Sequence, residues 1–137
     1  LLEPPGGSYW SSKIDFLRRE LLDYGYIDRA DLDLFSITSS VEDAIESIHR
    51  FYFRYHSMRF VGERLVIRLR SRLADEQVEQ LRKDFSDILV PDGRLVHTGA
   101  LPEEGNRTDL LELPRLLIDF NRRDFGRLRL LIDAINA

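Results

Sequence analysis

The chain has 137 residues, enough for one domain or one domain plus a fragment. Hydrophobic residues at 43% suffice for a modest core, and charged residues at 32% solvate the surface, so a disordered chain is excluded. A net charge of -4 predicts no bulk attraction to nucleic acid or an anionic membrane, and the absence of cysteine excludes disulfides, thiolate metal sites and a cysteine nucleophile.

No apolar run approaches the roughly 20 residues that span a bilayer, and no signal-peptide pattern opens the chain, so a cytoplasmic protein without membrane partner is expected. The chain opens on Leu1, and its only methionine is Met58. Leu1-Leu2-Glu3 is apolar and then breaks at Pro4-Pro5-Gly6-Gly7-Ser8, which reads as the end of a strand begun earlier, followed by a turn. Ser11 or Ser12 suits a helix cap, and Trp10, Ile14, Leu17 and Leu21 recur at helical spacing, with Gly25 placed for a left-handed C-cap. A short helical turn is predicted near Asp28 to Asp33, and Phe35-Ser36-Ile37 suits a brief strand. Ser39 and Glu42 form a capping-box pattern before a helix striped by Val41, Ile45, Ile48, Tyr52 and Tyr55.

After Gly62, Leu65, Ile67 and Leu69 alternate with Val66, Arg68 and Arg70, the pattern of a one-sided strand. Val78, Leu81, Phe85 and Ile88 mark the next helix. Pro91-Asp92-Gly93 is a turn, Arg94 to Thr98 a second strand, and Gly99 to Leu113 a polar loop with Pro102, Glu103, Glu104 and Gly105. Leu116, Ile118 and Phe120 give a third strand, and Phe125, Leu128, Ile132 and Ile135 a last amphipathic helix. Two units result: residues 1–57, helix-rich with a strand fragment in front, and residues 62–137, a small α+β module of order β-α-β-β-α. That order is a ferredoxin-like unit lacking its last strand, and its open edge offers a route to a homo-oligomer.

Three groups of residues bear on chemistry. The turn Pro4 to Ser8, between a strand and a helix, either presents N–H groups such as that of Gly7 to a phosphate or is only a tight connection. Arg122, Arg123 and Arg127, near the start of the last helix, either hold an anionic effector such as a nucleotide or form a solvated face. Glu103 and Glu104 read as solvated loop charge. His56 and Ser57 are expected at a helix end, pointing apart and forming no nucleophile–base pair. His49, His56 and His97 show no ligand spacing, so no metal is expected.

Leu1 to Trp10, Gly25-Tyr26-Ile27 and Ser36-Ile37-Thr38 through Glu42-Asp43-Ala44 resemble the end of the Rossmann-like domain in the LONELY GUY (LOG) family, long labelled lysine decarboxylase-like. The segment from Phe51 to Arg59 and the residues after it resemble a C-terminal extension of some bacterial members. The resemblance implies an α/β fragment, the end of a Rossmann-like nucleotide-binding domain at 1–57, followed by the α+β extension at 62–137. It also implies a parent hydrolase that splits a nucleoside 5'-monophosphate into an adenine-type base and ribose 5-phosphate, with the nucleotide bound by the parent domain. Gly7, Tyr9 and Trp10 are then expected at the rim of the substrate site. The family's mark is P-G-G-x-G-T-x-x-E, but here Pro5-Gly6-Gly7 runs into Ser8-Tyr9-Trp10, so no catalytic residue carries over. No cofactor is implied: Lys13 and Lys83, the only lysines, fall on polar helix sides, which argues against pyridoxal phosphate. The alternative is a non-catalytic dimerisation or effector-binding module.

Overall fold

The computed structural model describes residues 1–104 and 110–137, and Gly105 of the expected loop lies outside them. The chain is a mixed α/β domain built on a four-stranded antiparallel sheet. Its first part begins with Leu2 bridging Thr38 in parallel. The Thr38 amide donates to the Leu1 carbonyl (3.0 Å) and the Glu3 amide to the Thr38 carbonyl (2.8 Å). Between these two short extended segments lies α1 (Tyr9–Leu17), which continues as a π turn through Leu22 and turns at Gly25, in the predicted left-handed conformation (φ +74°). A 3-10 segment, Arg29–Leu34, follows.

Helix α2 (Val41–Phe51) is capped by Ser40, one residue later than the sequence predicts, its Oγ accepting from the Asp43 amide at 3.1 Å. Glu42 and Asp43 at its start and Arg50 in its last turn complement the helix dipole. The helix does not reach Tyr55. Instead Tyr55 opens β1 (Tyr55–Val61), which turns at Gly62 into β2 (Arg64–Leu69). Then come α3 (Asp75–Asp84), β3 (Leu95–Thr98), β4 (Arg115–Ile118) and α4 (Phe125–Asn136).

The strand order is β1-β2-β4-β3. The expectation of three strands with an open edge is therefore corrected. The strands from β2 onward do run in the expected β-α-β-β-α order, but β1 fills the vacant place beside β2. The third expected strand, β4, is interior, so it offers no edge to a second copy. Residues 58–61, left between the two expected units, lie within this sheet.

Leu65, Ile67 and Leu69 of β2, with Leu116 and Ile118 of β4, face α3 and α4, where Val78, Leu81, Phe85, Leu128, Leu131, Ile132 and Ile135 complete the main core. The other face is covered too. Val66 and Arg68, predicted to face water, are buried there with Leu117 and Arg115. Both faces of β2 are thus dry, which corrects the one-sided reading.

Two close contacts join the first part to the sheet. Gly126 of α4 lies against the 3-10 segment so closely that a Cβ there would sit 2.2 Å from the backbone carbon and oxygen of Ala30. Asn136, at the end of α4 and buried, accepts from the Arg54 and Tyr55 amides (2.8 and 3.0 Å) and donates to the Phe51 carbonyl (2.6 Å). Gly126→Ala is expected to lower stability by about 3 kcal/mol, as overpacking does when backbone must move. Asn136→Ala is expected to cost about 2 kcal/mol, because it leaves the buried Tyr55 amide and the partly buried Arg54 amide unpaired. Urea unfolding checks both; a loss under about 0.5 kcal/mol in either case is the magnitude of a surface change and refutes the assigned contact.

Candidate functional site

The turn predicted to meet a phosphate holds an anion of the chain's own. Glu3 is only 5% exposed, and its carboxylate accepts from the Trp10 amide (3.0 Å), the Ser11 amide (2.9 Å) and the Ser11 hydroxyl (2.7 Å). Ser11 is thus not the helix cap but a donor to Glu3, and Ser8 precedes the helix. These donors, the Ser11 hydroxyl foremost, hold the Glu3 carboxyl below the usual glutamate range. Gly7 donates its amide to the Pro4 carbonyl at 2.8 Å, so that N–H is spent inside the turn. Tyr9 and Trp10 meet edge to face with centroids 5.0 Å apart, and Lys13 lies 4.6 Å over the exposed Tyr9 ring. Gly7 thus lies in the turn and Tyr9 and Trp10 open α1, whose first amides are already bonded to Glu3.

Beside this turn a groove of about 430 Å³ runs between the parallel pair and α2. Leu1, Leu2, Leu34, Ile48, Phe51 and Tyr52 form its apolar walls, and Arg129 stands at its margin. Arg129 is committed to Asp133 and stacks 4.5 Å over Phe51. The groove thus has the character of an uncovered packing surface, without a converging acid and base.

The predicted effector arginines separate. Arg122, at φ +60°, donates to the Gly62 carbonyl (2.6 Å) and stacks over Phe60. Arg127 pairs with Asp87 (2.8 Å), donates to the Asp84 carbonyl and stacks over Phe85. Its hydrogen bond keeps the Asp87 carboxyl below its ordinary value. Arg123 is exposed beside them, its amide bonded to the Asn121 side chain. Each guanidinium of Arg122 and Arg127 braces a different element, so the three do not face a common point.

A polar cluster that sequence reasoning missed lies on the second face of the sheet. Arg68 and Arg115 are register partners across β2 and β4, 6% and 1% exposed. Between them sits Glu104, read as solvated loop charge but 5% exposed. Its Oε1 accepts from Arg115 Nε (2.8 Å) and the Leu101 amide (3.1 Å), and its Oε2 from Arg68 Nε (3.0 Å) and Nη2. Burial pushes this carboxyl up, but the Leu101 amide and the two guanidinium groups outweigh it and hold it below its usual range. Arg59 donates to the Glu104 carbonyl at 2.9 Å. Ser57 Oγ lies 3.4 Å from Arg68 Nη1 and 2.9 Å from His56 Nδ1. The last contact corrects the expectation that His56 and Ser57 point apart: they stand on a strand, where a register irregularity between Tyr55 and Ser57 lets the side chains meet. Among the described residues His56 has no second side-chain partner to orient its ring, so the pair lacks the third member of a nucleophilic triad. The available signal was the placement of Arg68 and Arg115 within apolar alternations.

Among the described residues no cluster of three or more His, Cys, Asp or Glu side chains suits a metal ion, and no helix is long and apolar enough to cross a membrane. No family model, curated protein or solved structure matches the chain.

The Glu3 contacts make a pH prediction. A carboxyl whose folded pKa lies below its unfolded one contributes stability that is fully present above the unfolded value, about 4.3 for glutamate. That contribution is lost as pH falls through the folded pKa. Glu3→Gln is therefore expected to be less stable than wild type at neutral pH, with the difference shrinking below about pH 4. Urea midpoints from pH 7 down to 3 measure this; a difference that stays constant with pH removes the assigned role.

Proposed function

We propose that the chain is the C-terminal part of a LOG-type nucleoside 5'-monophosphate N-glycosidase. Residues 1–57 complete its Rossmann-like nucleotide-binding domain, and the sheet beyond them serves fold completion, oligomerisation or regulation. The observation that carries this reading is the parallel pairing of Leu2 with Thr38 on either side of α1, with its apolar surface left open. Parallel strands are normally covered on both faces. Here Leu1, Leu2 and Ile37 remain well exposed, and α2 presents Val41, Ile45 and Ile48 to solvent, with Tyr52 just after it. A parallel pair and an amphipathic helix offering one apolar margin match the end of a larger doubly wound sheet. The Glu-Pro-Pro-Gly-Gly turn and the Gly25-Tyr26-Ile27 bend support the same reading through their resemblance to the family.

The reaction breaks the C1'–N bond of the nucleotide. Water supplies hydroxyl to C1' and a proton to the leaving base, giving ribose 5-phosphate and free base. The groups that move the proton are assigned to the preceding part of the parent protein. Tyr9 and Trp10 are assigned to the rim. The test compares the chain alone with the product of the reading frame extended upstream of Leu1, each incubated with AMP and N6-substituted AMP. Chromatography of released base is expected to show turnover only in the extended protein. A folded extended protein that leaves these and the other nucleoside monophosphates intact overturns the proposal.

A further inference from the structure

We infer that the exposed stripe of α2 is a dimer interface, on which a second copy of this chain lays its own α2 antiparallel. The spacing sets the geometry. Val41, Ile45, Ile48 and Tyr52 stand four, three and four residues apart, the alternation that gives a straight seam to a partner helix. Each of the four is between 45% and 56% exposed, so the seam is uncovered. The helix is held to its own chain by another side. Ala44 and Phe51 are its only residues that are not exposed, and Phe51 packs against the main core. The seam lies beside that inner face and not within it, and Ile48 and Tyr52 carry it into the apolar groove next to the parallel pair. A contiguous apolar surface of this kind marks a contact site.

Charge identifies the occupant. With Ile45 and Tyr52 at a positions and Val41 and Ile48 at d positions, Glu42 and His49 fall on the outer edge of the seam, and Ala44 and Phe51 on the inner edge. A parallel copy would set the polar edge of one helix against the apolar edge of the other. Reversing one helix brings like edges together. Glu42 of one copy then meets His49 of the other, and two-fold symmetry makes the contact twice. Along the seam the same reversal sets Ile45 against Ile48 and Val41 against Tyr52. It also lays the acidic first turn of each helix, Glu42 and Asp43, beside the last turn of the other, with His49 and Arg50. The two helix dipoles then run opposite, which favours the pair. The stripe is therefore complementary to itself, as an isologous contact requires. This inference stands apart from the N-glycosidase reading: the parallel pair stays open to a preceding strand, and the readout is mass, not base release.

Sedimentation equilibrium measures the mass of the full chain and of Ile45→Asp, His49→Glu and Glu42→Lys/His49→Glu. The wild-type chain is expected to dimerise with a Kd of about 10 μM or lower. Ile45→Asp, which puts a charge in the seam, is expected to weaken the dimer at least about tenfold. His49→Glu, which sets carboxylate against carboxylate, is expected to weaken it at least about fivefold, and the charge swap to restore it to within about twofold of wild type. The same pattern is expected in the product of the reading frame extended upstream of Leu1. A chain that is monomeric at about 100 μM overturns the inference. So does a dimer that survives Ile45→Asp, which assigns it to a sheet edge, or a swap that fails to rescue, which removes the antiparallel pairing. An extended protein that is monomeric gives the stripe to the preceding part of the chain and overturns it equally. Melting curves check that each variant is folded. If Ile45→Asp does not fold, His49→Glu and its swap decide alone.

Discussion

One amide side chain closes this fold. The chain leaves α2 at Phe51 and must enter β1 at Tyr55 within a corner that buries part of its own backbone. Asn136 supplies the acceptor for two amides of that corner and the donor for its first carbonyl. Without those bonds the corner holds unpaired polar groups away from water, which native structures rarely tolerate. With them, the end of α4 and the start of β1 are fixed side by side. β1 therefore takes the sheet position that a strand following α4 would occupy in the ferredoxin-like order, and closes the sheet from the opposite end of the chain. The Gly126 contact with Ala30 ties a second point of α4 to the preceding part, so the two halves of the sequence share one helix as their common wall.

The halves nevertheless bury their apolar residues to very different degrees. From Tyr55 onward, β2 and β4 have helices on one side and the 99–104 segment on the other, and the large residues of these strands are almost fully buried. Before Tyr55, only Ile14 among the apolar side chains is buried, while the stripe of α2 stands open. An amphipathic helix gains most of its stability by covering its apolar face, since short helices are marginal by propensity alone. The open stripe and the parallel pair are thus the least covered apolar surface of the first half.

Much of the second half was legible because its periods are unbroken. The alternation of Leu65, Ile67 and Leu69, and the helical spacing of Leu128, Ile132 and Ile135, place residues that all lie in the main core. β1 was not legible. Tyr52 and Tyr55 continue the spacing of α2 by coincidence, and the irregularity between Tyr55 and Ser57 spoils the alternation that would mark a strand. Pairing with β2 and the contact with Asn136, 81 residues away, make this segment a strand, and the local pattern holds no trace of either. Glu104 failed for a related reason. In sequence it is the second of two acidic loop residues, and its burial depends on two arginines brought into register by strand pairing.

The strong bias toward arginine, with lysine confined to Lys13 and Lys83, has a structural counterpart. Arg122, Arg127 and Arg129 each lie flat over an aromatic ring, Phe60, Phe85 and Phe51 respectively, while also bonding to a carbonyl or carboxylate. A planar guanidinium can stack and donate at once, whereas an ammonium is a compact, strongly hydrated point charge. Arg122, Arg127 and Arg129 of the basic run thus brace the end of the chain against its neighbours, while Arg123 stays exposed. Arg68 and Arg115 differ from these three. They have no ring to stack on, they face each other, and they depend on an anion delivered from a loop. The same residue type thus serves as brace at the rim of the sheet and as partner of a buried carboxylate at its centre, and burial distinguishes the two uses.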